Sequence, residues 1–271
     1  MKKIITTRKY ITDKHQQKIL DMINIFTENI KNNNNFTIVK FGDGELISMM
    51  GPDYRRKENG ELRFGNCNCD GHPFDSGGLG QKLMDSWYFF NELNNKYNNV
   101  YIPEWTLEPY GRDTTLPMKF FKKLKKETKG FNINFVHYEI LLQNTLSQEK
   151  FNFYENIKNS KRKKIYVAPN RMHDGVSRFL NIDKCVSVPL ENAHVEYDRI
   201  LSDIQNEIVK DCIILFSCGM PAKSLIHKLL EIENEITCLD VGSGFDPIFN
   251  FQTREGQLET FVIKDYYKEL L

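Results

Sequence analysis

No run in this sequence approaches the roughly 20 apolar residues that a bilayer-spanning helix requires, so nothing in it reads as a membrane span. The N-terminal stretch Met1-Lys2-Lys3-Ile4-Ile5-Thr6-Thr7-Arg8 lacks the apolar centre of a signal peptide, and a cytoplasmic location is the expectation. A surplus of one charge is missing as well. With 37 Lys and Arg against 36 Asp and Glu, the net charge of +1 supplies no field to recruit nucleic acid or an anionic membrane. Six cysteines form no Cys-x-x-Cys pair, which argues against a redox motif or a zinc ribbon. Only Cys67-Asn68-Cys69, with Asp70 and His72 nearby, raises a zinc question, and its spacing is too short for a zinc knuckle. There is no internal repeat, and the G-x-x-x-x-G-K-[ST] phosphate loop is absent.

What is present describes an ordinary globular chain, 40% apolar and 27% charged, long enough at 271 residues for a large core. Ile19, Met22, Ile23, Phe26 and Ile30 fall at helical spacing in an N-terminal helical segment, residues 1–35, that ends in an asparagine-rich linker. Apolar strand candidates follow at 36–39, 100–102, 133–136, 164–167, 185–188, 212–216 and 236–239. Helical patterns at 81–94, 116–126, 148–158, 174–180, 195–209 and 222–232 lie between most of them. This alternation predicts one Rossmann-like α/β domain over 1–271, with a largely parallel sheet covered by helices on both faces. The lysine-rich run 119–129, interleaved with Phe120, Phe121 and Leu124, reads as the solvated face of an amphipathic helix.

Residues 51–80 form an irregular insertion rich in Gly, Asn, Asp and Pro. With little apolar area to hold it down, it is expected to act as a mobile flap over a ligand. The alternative is a rigid insertion packed on the sheet or on a neighbouring subunit, as in a homodimer.

Phe41-Gly42-Asp43-Gly44-Glu45 directly follows the first strand candidate and precedes a helical run from Leu46 to Met50. Two carboxylates at the carboxyl end of a strand line the crevice of an open α/β sheet and could hold a divalent cation against a phosphate. Gly42 and Gly44 would permit left-handed backbone and close approach to a ligand. Equally, Asp43 could be a helix N-cap and Glu45 a first-turn acid favoured by the helix dipole. Three further turns end later strands: Ala168 to Met172, Ser217-Cys218-Gly219-Met220-Pro221-Ala222-Lys223, and Asp240-Val241-Gly242-Ser243-Gly244. In the second of these, Gly219 allows a tight turn and Pro221 suits a helix start whose free N–H groups could meet a phosphate. Cys218 has no identifiable basic partner to activate it, His227 falls within a helix, and His194 follows a strand where it could face the crevice or pack.

The segment Val39-Lys40-Phe41-Gly42-Asp43-Gly44-Glu45 resembles the signature of glycosyltransferases of the GT-D fold, a domain first catalogued in bacterial protein-glycosylation clusters. Residues 213–242 resemble that family's C-terminal pattern, and Asn192-Ala193 with Tyr197 and Asp198 falls between the two in the right order. The sequence departs from the pattern at Lys40, where arginine is frequent, at Met220-Pro221, and in the enlarged 51–80 region. The resemblance implies a transferase that moves a sugar from a nucleotide-sugar donor, UDP-linked, to a glycan or glycoprotein acceptor. Asp43 and Glu45 would then be the catalytic, metal-binding acids, with Lys40, Gly42, Gly44, Asn192, Ser217, Gly219, Lys223 and Asp240 lining the substrate. Oxygen ligands of this kind favour Mn²⁺ or Mg²⁺ over zinc. Two other readings stay open. Leu239 to Gly244 resembles the first motif of S-adenosylmethionine-dependent methyltransferases, and a nucleotide-sugar-binding module without turnover would carry the same turns.

Overall fold

The computed structural model describes residues 5–6, 13–61, 63–64, 66, 73–75, 77–97, 99–104, 115–129, 134–137, 145–249 and 260–271. Along the chain run β1 (Ile5–Thr6), α1 (Asp13–Lys31), β2 (Thr37–Ile38), α2 (Asp43–Arg55), α3 (Leu79–Tyr97), β3 (Val100–Glu104), α4 (Thr115–Glu127), β4 (Asn134–His137) and β5 (Thr145–Leu146). Then come α5 (Gln148–Asn159), β6 (Lys164–Ala168), α6 (His173–Leu180), β7 (Lys184–Ser187), α7 (Tyr197–Gln205), β8 (Ile213–Phe216), α8 (Ala222–Ile232), β9 (Thr237–Asp240) and α9 (Thr260–Tyr266).

Seven strands pair in parallel in the order β4-β3-β2-β9-β8-β6-β7. The β1 and β5 segments form a separate antiparallel pair that the strand pattern did not foreshadow. Within a central strand, alternate side chains enter opposite cores, as a two-residue period requires. Ile214 and Phe216 of β8 face one apolar cluster, and Ile213 and Leu215 face the other. The first cluster takes the buried stripes of α2, α3, α4, α7 and α8, including Leu46, Trp87, Phe121, Ile200 and Leu225. The second takes those of α1, α5, α6 and α9, including Phe26, Tyr154, Phe179 and Ile263. Steps toward the β4 edge of the sheet carry their helices on the first face, and steps toward the β7 edge carry theirs on the second, as a uniform crossover hand demands.

The chain leaves β2 toward the first face through α2, and after β9 it returns to the second face at α9. Adjacent strands whose connections part to opposite faces open a crevice at their carboxyl ends. β2 and β9 form that switch point at the middle of the sheet.

Local chemistry sets the approach to the crevice. The sequence pattern expects α2 to begin near Leu46, but Gly42 is its N-cap and Asp43 its first residue. A kink at Gly51 (φ 71°), followed by Pro52, interrupts the helix. Gly42 is extended at φ −81°, and Gly44 is not among the positive-φ glycines. The left-handed backbone anticipated at these two positions occurs instead at Gly219 (φ 70°) and Gly242 (φ 50°).

Residues 51–80 carry firmer anchors than their composition suggests. Arg55 is fully buried, pairs with Asp75, donates to the carbonyls of Gly51 (3.3 Å) and Arg63 (3.4 Å), and stacks 5.3 Å from the Phe74 ring centre. Phe74 is itself in the core, and Ser48 Oγ donates to its carbonyl at 2.5 Å. Arg55 thus ties Gly51, Arg63, Phe74 and Asp75 of this region to one another.

Candidate functional site

The turns after β2, β8 and β9 meet over three adjacent strands, at the carboxyl edge of the switch point. At their junction sits Lys223 Nζ, in the first turn of α8 and 3% exposed. It lies 2.6 Å from Glu45 Oε1, 2.9 Å from Asp240 Oδ2 and 3.4 Å from the Gly219 carbonyl. The other Glu45 oxygen, Oε2, accepts the N-cap N–H of Gly42 at 3.0 Å, the half of a capping box that an N3 glutamate supplies. Asp240 Oδ2 also accepts the Lys40 backbone N–H at 3.1 Å. The Lys40 ammonium donates to the Val241 carbonyl at 3.4 Å. It lies so close under Gly242 that a Cβ there would be 2.6 Å from Nζ. Glycine at 242 therefore serves both the left-handed turn and the ammonium beneath it.

Two carboxylates and two ammonium groups form a neutral buried network. Burial pushes the Glu45 carboxyl up, but the Lys223 charge and hydrogen bond outweigh it and hold the group below its ordinary value. Burial likewise pulls Lys223 down, and Asp240 with Glu45 more than reverses this, so its ammonium is retained. Both groups stay ionised at neutral pH.

The sequence-predicted site residues therefore separate into two sets. Lys40, Glu45, Lys223 and Asp240 are brought together, but with one another rather than with open solvent. Asp43 is the exposed acid of the pair, its Oδ1 accepting the Gly44 N–H at 3.0 Å. Gly42, Gly44, Ser217 and Gly219 lie in the same turns, with Ser217 half-buried. Asn192 lies beyond the end of β7, in left-handed conformation (φ 57°), opening the 3-10 turn Ala193–Glu196.

Beside this junction lie Tyr197 and His194, both singled out in the sequence, together with Lys82 of α3, which no sequence motif signalled. Tyr197 donates its hydroxyl to the carbonyl of Ser224, the neighbour of Lys223, at 2.9 Å. Lys82 of α3 sits 4.0 Å over the Tyr197 ring. Burial and the Lys82 charge lower the pKa of half-buried His194, so its imidazole is neutral at pH 7. Cys218 is buried, and burial together with Asp240 pushes its thiol up to about 12, which removes it as a nucleophile. His227 packs inside the protein, stacked on Phe89 with ring centres 4.1 Å apart and Nδ1 3.2 Å from Ser86 Oγ. Cys67, Cys69, Asp70 and His72 lie outside the described residues.

Fit to a divalent cation can be judged from the donor set. Both oxygens of Glu45 are engaged, one by a buried ammonium that would repel a second cation. Asp43 alone of the two acids offers an exposed carboxylate. Among the described residues, no three His, Cys, Asp or Glu side chains cluster as a metal site. The Asp43–Glu45 pair does not fit a shared cation in this arrangement.

No protein-family model matches the chain, and no curated protein matches it. Among solved structures, a new glycosyltransferase (DUF1792) from Streptococcus sanguinis is similar over 83% of this chain and 81% of its own, with a TM-score of 0.52 and 16% identity. A structure described as the highly conserved domain of unknown function 1792, with a distinct glycosyltransferase fold, aligns over 84% and 82% at a TM-score of 0.49 and 16% identity. Likeness at this identity establishes the fold. The chain has the α/β architecture of domain 1792, the GT-D fold that the Asp43-Gly44-Glu45 motif resembled. Among the described residues, no helix is long and apolar enough to cross a membrane.

Proposed function

We propose that this protein is a glycosyltransferase that takes a sugar from a nucleotide-sugar donor, UDP-linked, and passes it to a glycan or glycoprotein acceptor. The observation that carries this reading is the convergence of the turns after β2, β8 and β9 at the central switch point of a glycosyltransferase-like fold. Cleavage of a sugar–phosphate bond leaves charge on a nucleoside diphosphate. The helices that begin at Asp43 and Ala222 both open at that edge, and the positive ends of their dipoles suit such charge. The buried ion network keeps these turns in register, so the helix dipoles need not reorient as charge develops. Asp43, exposed at the mouth, is the acid we assign to the donor. His194, neutral and beside Lys82, borders the same edge where an acceptor would enter.

The methyltransferase reading loses its footing on topology. Among the described residues no strand follows β9 to supply the acid that binds the ribose, and Asp240 is already committed to Lys223 and Lys40.

A thermal-shift screen of nucleotide sugars, each with and without Mn²⁺, tests the proposal by ligand linkage. A UDP-sugar should raise the melting temperature and release nucleoside diphosphate on incubation with acceptor. Stabilisation by S-adenosylmethionine alone would overturn the assignment, and stabilisation by UDP-sugar without any turnover would reduce the protein to a binding module.

A further inference from the structure

Glu45 approaches from the turn after β2 and Asp240 from the end of β9, and their oxygens flank one point at 2.6 and 2.9 Å. Carboxylates from neighbouring strand ends converging on a buried point form the donor set of a hard divalent cation, which takes oxygen ligands at about 2.0–2.6 Å. Here that point is filled by the ammonium of Lys223, and the Gly219 carbonyl lies 3.4 Å away on the same atom. Neither carboxylate is held only by the lysine. Glu45 is fixed from behind by the Gly42 N–H, and Asp240 by the Lys40 N–H, so the pocket retains its shape independently of the group at its centre.

We infer that Lys223 is a built-in cation: its ammonium occupies a two-carboxylate cation site formed by Glu45 and Asp240, closes that site to metal, and makes Glu45 a positioning residue rather than a metal ligand. A divalent ion entering at Glu45 would have to take one of the two carboxylates from a buried ammonium and sit beside that charge. Any cation that accompanies a nucleotide at this edge is therefore left with Asp43. The inference concerns metal and ammonium alone and holds whether or not the chain transfers sugar.

The test uses the full-length protein and divalent ions without nucleotide. Wild type should show no melting-temperature rise with millimolar Mn²⁺, Mg²⁺ or Ca²⁺ that depends on Glu45. Lys223→Ala should melt several degrees lower and regain much of that loss when Mn²⁺ or Ca²⁺ is added, and Lys223→Ala combined with Glu45→Gln should not respond. Direct Mn²⁺ titration should count one more bound ion in Lys223→Ala than in wild type. Two outcomes would overturn the inference: a Mn²⁺ response of wild type that Glu45→Gln abolishes, or a Lys223→Ala variant that takes up no additional ion. Should Lys223→Ala yield no soluble protein even when expressed and purified with Mn²⁺, the cavity cannot take a metal, and the inference fails on that result too.

Discussion

The two acids of the Asp43-Gly44-Glu45 motif are two residues apart in sequence, yet their physical situations are opposite. Glu45 is an N3 residue turned inward to a buried ammonium, whereas Asp43 is an exposed N1 residue. Conservative amides at the two positions should behave accordingly. Glu45→Gln leaves Lys223 facing one carboxylate instead of two, and should cost about 3 kcal/mol, the scale of a broken buried pair, read as a lower denaturation midpoint in urea. Asp43→Asn should change stability by less than about 1 kcal/mol, the size of a helix-end charge effect, while donor turnover falls at least tenfold. Equal turnover by Asp43→Asn and wild type would leave Asp43 as a helix-start acid only. The pH dependence has a definite sign. Because the folded pKa of Glu45 is depressed, its contribution is present above the ordinary carboxylate range and is lost as pH falls through the folded value. Lys223 is raised, so its contribution persists through neutral pH and is lost only on the alkaline side, above the ordinary lysine range. The stability gap between wild type and Glu45→Gln, measured by urea unfolding from pH 3 to 8, should therefore be widest near neutrality and narrow in acid.

Elements, rather than single contacts, set where α2 presents these acids. Gly80 in the first turn of α3 has no room for a side chain: a Cβ there would lie 2.4 Å from the Ser48 carbonyl oxygen of α2. Gly80→Ala should force the two helices apart and cost about 1–3 kcal/mol, as overpacking does, with a matching loss of melting temperature. A neutral result would mean that α3 slides without disturbing α2. At the far end of α2, Arg55 ties down the insertion through Asp75, Arg63 and Phe74. Arg55→Met keeps much of the buried volume but removes the pair and its hydrogen bonds. Amide exchange at Arg63 and Phe74, whose N–H groups bond the Arg55 and Asn66 carbonyls, should then accelerate at least tenfold relative to wild type. Much at this scale was readable from sequence. The strands at 164–167 and 212–216 carry the apolar runs 165–167 and 212–216 because both faces are buried, and they appear as β6 and β8. The helical stripe of α4 around Phe120, Phe121 and Leu124 is buried while Lys119, Lys122 and Lys123 stay exposed. What escaped was non-periodic: the two-residue strands β1 and β5, the start of α7 at Tyr197 behind a 3-10 turn, and the Arg55 anchor, whose partners lie in a stretch with no pattern to read.

At the scale of the whole molecule, the candidate site exists only because distant segments are made neighbours. Composition and alternation made the parallel sheet legible, but nothing local in sequence states that β9 inserts between β2 and β8, and only the family resemblance put Lys40, Glu45 and Asp240 at one site. The Lys40–Asp240 hydrogen bond closes a separation of 200 residues. The same topology makes a prediction about assembly. β9 is the central strand of the seven, and β2 is hydrogen-bonded to β3 on one side and to β9 on the other. Until the end of the chain arrives, β2 to β4 and β6 to β8 are two partial sheets with no strand between them, each exposing an unpaired inner edge. The two cores depend on that strand as well, since Cys238 faces one and Leu239 the other. A chain ending at residue 234 should therefore lose cooperative unfolding altogether, rather than lose only the residues removed, and should bind an apolar dye and aggregate. Deleting residues 1–12, which contribute only the short β1 pairing to the described structure, should by contrast leave a cooperative melt. A sharp two-state transition in the chain ending at 234, seen at the same midpoint by circular dichroism and fluorescence, would show that the β6 to β8 half folds without β9, and that the junction of Glu45, Lys223 and Asp240 is a late clasp rather than the joint on which the sheet depends.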